Sequence, residues 1–426
     1  MDRLASPARA LLLAAALLLC ACGDDIPDVI AYEGARLIVG DGSAPIEDAV
    51  LLVEDGRFTA VGPRAAVEIP EDAGRVDLSG RTVMPALVNA HVHTPATSRE
   101  ALVSFLEHYA YWGVGAVASL GTDSTTSSFV VRDSVLPNAA RLRTAGRGIT
   151  RPEPGRTEVP YWVSTPEEAR AAVRELVASD VDLVKVWVDD RNGQFDKLTP
   201  ELYGPIISDA HRAGLKVTAH IFSLEDAKGL LRLGIDGFAH GVRDTDLDDE
   251  GMELFRRRAS VFLTPNLPDR GVATDLSWIS ATVPDLEVTE IQAGATDRPE
   301  AQEAFGIQAR NLARLNEAGT VIGFGTDGGV PWQVHVELED MVAAGMTPAQ
   351  ALVAATHNSA EFLGLADAGT VAAGKSADFV VLEADPLEDI RNTRRIAAVY
   401  LRGAEVDRAG IAARLKNPQA DSATAP

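Results

Sequence analysis

The sequence predicts an α/β protein: a (β/α)8 TIM barrel with a small β-sandwich domain formed from both chain ends. Three observations carry this. Through the middle of the chain, short apolar β-branched runs alternate with amphipathic stretches, and repeated β-then-α order means parallel strands that favour a closed barrel. Strand-like runs with turn signals sit at both ends, without helical pattern between them. Four of the eight histidines, one lysine and one aspartate fall on or at the ends of predicted strands, which in a barrel meet on one face.

The chain ends come first. Residues 10–21 are an Ala/Leu run behind Arg3 and Arg9, too short to span a bilayer comfortably, and read as a signal-peptide core. The run ends Leu19-Cys20-Ala21-Cys22, a pattern like a bacterial lipobox, with Cys22 as the lipidated residue of the mature chain. The protein is therefore expected to be lipid-anchored in the cell envelope, facing the periplasm or the exterior. Cys20 and Cys22 are the only cysteines, which excludes a Cys nucleophile, a thiolate zinc site and an internal disulfide in the body. The runs Ala35–Val39, Ala49–Val53, Phe58–Val61 and Thr82–Met84 read as strands, with Asp41-Gly42 and Asp55-Gly56 as turns. Ala377–Leu382 and Ala397–Arg402 mirror them near the C-terminus, with Arg402-Gly403 as a turn.

Between the ends, Val114–Leu120, Val181–Val188, Lys216–His220, Ile235–His240, Val261–Pro265 and Val321–Thr326 read as strands. Thr165–Val177 reads as a helix capped by Thr165 with Glu168 three residues on. Thr199–Ala213, closed by Gly214, Leu224–Leu233 and Ala301–Ala318 read as further helices. Residues 267–300 are the least legible part, a candidate loop or lid. The expected division is a signal peptide over 1–21, a tether over 22–30, the sandwich over 31–85 and 370–412, the barrel over 86–369 and a disordered tail over 413–426.

The formal charge of −23 over 426 residues argues against nucleic acid and anionic membrane as partners, so a small-molecule substrate is expected, with the lipid anchor as the sole membrane contact. A homo-oligomer is compatible with the chain.

The chemistry sits in a few residues. His91 and His93 are two apart in a strand-like run, and residues i and i+2 of a strand point to the same side. Lys185 lies inside the apolar run Asp182–Trp187, where an unpaired ammonium is costly, so it needs a partner, Asp189 or Asp190, or a changed chemistry. His220, His240 and Asp327 each end a strand-like run. Asp189-Asp190-Arg191 and Gly241-Val242-Arg243-Asp244 follow two of these strands. His108, His211 and His357 read as structural.

This order, His-x-His, a strand Lys, two single strand-end His and a late Thr-Asp, resembles the amidohydrolase superfamily, most closely its imidazolonepropionase-like and prolidase-like branch. Asp55-Gly56-Arg57 and Ala368-Gly369-Thr370-Val371-Ala372-Ala373-Gly374-Lys375-Ser376-Ala377-Asp378 resemble that family's signatures, and the likeness runs from about residue 30 to 410. One departure is Pro85-Ala86, where the family usually has Pro-Gly. The resemblance implies that His91, His93 and Asp327 hold one metal, that His220 and His240 hold a second, and that Lys185, carboxylated by CO2 to a carbamate, bridges them. Two divalent ions are expected, zinc by preference given N/O ligands and no thiolate. Asp327 is expected to take a proton from the attacking water and pass it to the leaving nitrogen.

The implied reaction is hydrolysis of an amide C–N bond in a small substrate such as an N-acyl amino acid, an Xaa-Pro dipeptide or a cyclic amide. Lactonase, phosphotriesterase or deaminase chemistry uses the same metal platform, and a non-enzymatic envelope binding lipoprotein is a third reading. Candidate substrate-binding residues are Arg147, Arg151 and Tyr161 after the apparent third strand, Arg191 and Arg243 after the fourth and sixth, and His335 after the last. The arginines are placed there to clamp a substrate carboxylate.

Overall fold

A computed structural model of the chain describes residues 28–94 and 98–416. The signal-like run, Cys22, most of the tether and residues 417–426 of the expected tail lie outside them. The helix Arg408–Lys416 carries the folded chain four residues past the expected start of that tail. Among the described residues, no helix is long and apolar enough to cross a membrane.

Both ends build one unit. Val29–Leu37 pairs antiparallel with Ile46–Glu54, which pairs with Arg57–Pro63 through the Asp55-Gly56 turn. Both turn residues have positive φ, 48° and 73°, as a two-residue hairpin of this kind requires. Thr82–Pro85 joins the termini: it runs parallel to Val29–Leu37 and antiparallel to Phe379–Leu382, placing Val83 opposite Val381. Ile396–Leu401 and Ala404–Glu405 complete the edge through the Arg402-Gly403 turn. In its hydrogen bonding the expected sandwich is thus a single eight-stranded sheet. The sheet curls on itself. Phe58 N–H donates to the Lys375 carbonyl at 3.0 Å and Gly374 N–H to the Phe58 carbonyl at 2.7 Å, so one edge returns toward the other. Phe379 then stacks on Tyr400 at 4.6 Å and meets Tyr32 edge-on at 5.1 Å, closing a core with Leu37, Leu51 and Val83.

The remainder alternates strand and helix. Leu87–Val92, Val114–Ser119 and Arg141–Thr144 form one parallel set. Val184–Val188, Val217–Ile221, Gly237–Phe238, Phe262–Leu263 and Val321–Ile322 form another. Backbone bonds connect the two sets at both edges: Asp182 N–H to the Thr144 carbonyl at 2.9 Å, and Ala90 N–H to the Phe324 carbonyl at 2.8 Å. Hydrogen bonding therefore passes through eight parallel strands and returns to the first. The short strand Ile149–Thr150 pairs with Val184–Val188, and Tyr161–Trp162 pairs with Ile149–Thr150 on its other side.

Helix starts follow local chemistry. Thr165 and Glu168 form a reciprocal capping box ahead of Pro166–Ala178, and that helix buries Ala169, Ala172, Val173 and Leu176. Ser223 caps Leu224–Leu233, which ends at Gly234 in the left-handed region, φ 91°. Fully burying a residue such as Leu176 contributes about 1.5–3 kcal/mol. Residues 267–300, read as a loop, contain the 3-10 turn Ser277–Ala281 and the helix Asp285–Gly294.

Candidate metal centre

The strand Leu87–Val92 is buried throughout, and its alternation places Asn89, His91 and then His93 on one side. Gly325 makes room for this strand: a Cβ there would lie 2.7 Å from His91 Cβ. The chain then turns sharply. Asp327 takes φ 52°, and the N–H groups of Thr326 and Asp327 both donate to the His91 carbonyl, at 3.1 and 3.0 Å. This turn sends the Asp327 carboxylate inward.

Three donors converge there. Asp327 Oδ1 lies 3.1 Å from His91 Nε2 and 3.2 Å from His93 Nε2, and the two nitrogens are 3.3 Å apart. His91 Nδ1 is 3.1 Å from the Ala239 carbonyl, which accepts its proton and leaves Nε2 with the free lone pair. Burial, with the nearby Lys185 charge, pushes His91 down to about 3, so the ring is neutral at physiological pH. Burial likewise pushes His220 down to about 4 and holds His240 well below its usual range. Burial alone raises the Asp327 carboxyl, but its close contacts with His91, His240 and His93 outweigh it and hold the group below its usual range. Neutral imidazoles beside a carboxylate make a ligand set for a divalent cation.

Lys185 is fully buried in Val184–Val188, with Nζ 3.3 Å from His91 Nε2. Among the described residues, no ion pair within 4.0 Å involves it. The partnership with Asp189 or Asp190 does not form, because Asp189 bonds His220 Nε2 at 2.8 Å and Arg191 at 2.6 Å. Burial pushes the Lys185 amine down to about 7, leaving much of it as free amine near neutral pH.

The other two histidines are placed differently. His240 Nε2 is buried without a hydrogen-bond partner, 3.4 Å from Asp327 Oδ2. Its Nδ1 faces the Arg243 guanidinium, a donor only, so the ring proton sits on Nε2 in this arrangement. His220 packs edge-on against His240 at 4.5 Å, but its Nε2 is held by Asp189 and by Arg191 Nη1 at 3.0 Å. The donor atoms of His91, His93 and Asp327 thus share one point, within 4.8 Å of one another, with Lys185 and His240 against them. A second ion on His220 and His240 requires the Asp189, Arg191 and Arg243 contacts to exchange for metal bonds. The convergent donor atoms of His91, His93 and Asp327 fit a cationic centre at this spot, which His240 would join once its Nδ1 is released from Arg243 and its ring proton leaves Nε2.

The arginines placed as carboxylate clamps are largely engaged. Arg147 stacks on the Tyr161 ring at 4.0 Å and donates to the Val159 carbonyl. Arg151 donates to the Val163 carbonyl and to Asp196 at 3.0 Å. Arg191 spans Asp189 and the buried Glu153, 3.2 Å away. Arg243 alone of the set faces the centre with no carboxylate within 4.0 Å among the described residues. His335 does not line the site. Its buried ring bonds Thr393 at 3.1 Å and packs edge-on between Trp112 and Trp278, because the helix Gln333–Ala343 turns that face toward the core.

Sequence reasoning missed Asn89, Asn266 and Glu337. Asn89 Nδ2 donates to Thr326 Oγ1 at 3.0 Å. The Asn266 side chain lies 2.5 Å from His91 Nδ1 and against the Ala239 carbonyl. Glu337 accepts the Leu267 N–H with both oxygens, fixing the segment that carries Asn266. Asn266 follows the strand-like run Val261–Pro265, so the same strand-end signal that marked His220 and His240 could have found it.

Comparison with known proteins places this geometry. A family model described as the amidohydrolase family matches residues 82–406. The chain is 28% identical to an imidazolonepropionase of Deinococcus radiodurans over 85% of this chain and 92% of that protein. It is 26% identical to an ochratoxinase of Aspergillus niger, over 88% of this chain and 85% of that protein. A solved structure from Bifidobacterium longum, described provisionally as a prolidase, superposes with a TM-score of 0.74 at 30% identity, covering 94% of this chain and all of that one.

Proposed function

The chain belongs to the amidohydrolase family, whose members are metal-dependent hydrolases acting on C–N bonds, and on that premise we propose that it cleaves the amide bond of a small molecule. The substrate classes we put forward are N-acyl amino acids, Xaa-Pro dipeptides and cyclic amides. The observation that carries this is the meeting of His91, His93 and Asp327 at one point, beside a buried lysine that forms no ion pair within 4.0 Å among the described residues. The relatives support it, since their names cover an imidazolone, a toxin and a prolyl dipeptide as substrates. The ring of eight parallel strands is read as a (β/α)8 barrel with this cluster at the carboxyl ends of its strands.

His91, His93 and Asp327 would hold one divalent ion. His220 and His240 would hold a second after their arginine contacts are released. Zinc is the preferred ion for this N/O set. Bound metal supplies Lewis acidity and lowers the pKa of water. The free amine of Lys185 would add to CO2, forming an N–C bond and losing a proton, which converts a costly buried cation into an anionic oxygen donor. Asp327, held as a carboxylate, takes the proton of the attacking water and delivers it to the leaving nitrogen. The Ala239 carbonyl, by accepting the Nδ1 proton, holds His91 in the tautomer that presents Nε2. We further propose that the mature chain is anchored through a lipidated Cys22 and faces the periplasm or exterior.

The test is a panel of matched amide, ester, lactone, phosphotriester and aminopurine substrates offered to zinc-loaded protein. The reading expects amides to be turned over and the activity to vanish with a chelator. Turnover confined to phosphotriesters or lactones contradicts it.

A further inference from the structure

Beside the metal centre, the 267–300 segment and the helix Gln333–Ala343 enclose a cavity of about 190 Å³. Leu267, Leu276, Trp332 and Val336 form apolar walls, and Ala295 lies at the rim. Two links tie it to the chemistry. Thr326 lines it, and the next residue is Asp327. Leu267 follows Asn266, whose side chain lies against His91.

The acids around this cavity face partners within the protein. Glu337 accepts the Leu267 N–H at 3.2 and 3.1 Å, and Asp340 meets Arg270 Nε at 2.6 Å. The lining combines these apolar side chains, an indole among them, with the polar groups of Thr274, Thr326 and Gln333. An apolar cavity of about 150 Å³ is enough to hold benzene. This one takes a single ring or a branched aliphatic group of similar size.

Resting on the amide-hydrolase reading above, we propose that this cavity receives the substituent on the leaving nitrogen. The substrates are then amides of amines that bear one ring-sized apolar group. In hydrolysis the water oxygen bonds to the acyl carbon, the C–N bond breaks, and its electron pair stays on nitrogen, which takes the proton Asp327 delivers. That nitrogen therefore lies at Asp327, and its substituent points along the adjoining Thr326 wall into the cavity.

The experiment compares N-benzylacetamide with N-methylacetamide, which share an acyl group, and the difference in basicity of the two leaving amines cancels when the ratio is compared between wild type and the filled variants. Wild-type protein is expected to favour the benzyl amide about 10- to 100-fold in kcat/KM, the range that burying one ring contributes. Ala295→Phe and Val336→Phe, on separate elements, fill the cavity and are expected to lower that ratio at least tenfold. A second readout needs no turnover: calorimetric titration of zinc-loaded protein with benzyl alcohol, whose binding both variants should weaken about tenfold. If no amide is cleaved but benzyl alcohol binds and both variants weaken it, the hydrolase reading fails and the cavity assignment stands. Equal kcat/KM for the two amides overturns the proposal, as does a preference, or benzyl alcohol binding, that survives in a folded filled variant.

Discussion

Replacing Lys185 by methionine should make the metal-free protein more stable while removing its activity. The magnitude follows from burial. A lysine amine normally titrates near 10.5, and in the fold it is pushed down to about 7. That difference corresponds to about 5 kcal/mol against the charged form, and about 4 kcal/mol of it applies at pH 7, where the folded chain is half protonated. Between these two values the unfolded chain binds a proton that the folded chain does not, so wild-type stability rises with pH across the window. Methionine keeps the packed stem against Gly121 and Trp187 without the ammonium. The variant is expected to exceed wild type by about 2–4 kcal/mol at pH 7, and the gap should shrink to about 1 kcal/mol at pH 9.5. Urea unfolding of metal-free protein at both pH values measures it, with zinc content and amide turnover recorded in parallel. Turnover should fall at least ~10²-fold with the bridging group gone. A variant less stable than wild type at pH 7, or a gap that does not change with pH, means the ammonium has a stabilising partner and the argument for a chemically altered lysine fails.

Asp327→Asn should keep the fold and most of the zinc but lose about 10²-fold or more in kcat, since the proton carrier is gone; near-normal kcat moves that role elsewhere. Glu337→Ala leaves the Leu267 and Asn266 backbone N–H groups without their acceptor and should cost about 2–3 kcal/mol in urea unfolding and weaken zinc binding through Asn266. Glu337→Gln keeps one acceptor oxygen and should cost less than about 1 kcal/mol. Cys22→Ser should move the protein from the membrane to the soluble fraction, and an unmodified mature N-terminus in wild type by mass spectrometry refutes the anchor.

Legibility in the sequence followed the range of the interaction. Local signals read well. Thr165 with Glu168 predicted a capping box three residues wide, and both of its bonds form. Asp55-Gly56 predicted a hairpin whose two residues need positive φ. His91 and His93 could be placed on one face because strand geometry alone puts them there. Of Ile235–His240, Gly237–Phe238 is the regular strand, and Asp236 and Ala239 on either side of it still bond to the neighbouring strands. The helix Asp285–Gly294 escaped because it buries no residue, so its sequence carries no apolar period. The partners of the arginines were not legible for a different reason. Arg191 finds Glu153 38 positions away, and Arg151 finds Asp196 45 positions away, pairings that no local pattern reports. His335 sits close after the last strand, yet its helix turns it onto Trp112, more than 200 positions earlier.

The most direct test of the account is to titrate zinc into chelator-stripped protein while following hydrolysis of an amide such as N-benzylacetamide. The account predicts no turnover at the start, a rise that saturates near two equivalents, and a single weak-turnover equivalent in Lys185→Met. Full turnover in stripped protein, or zinc bound tightly at His91, His93 and Asp327 with no amide cleaved at any stoichiometry, contradicts it.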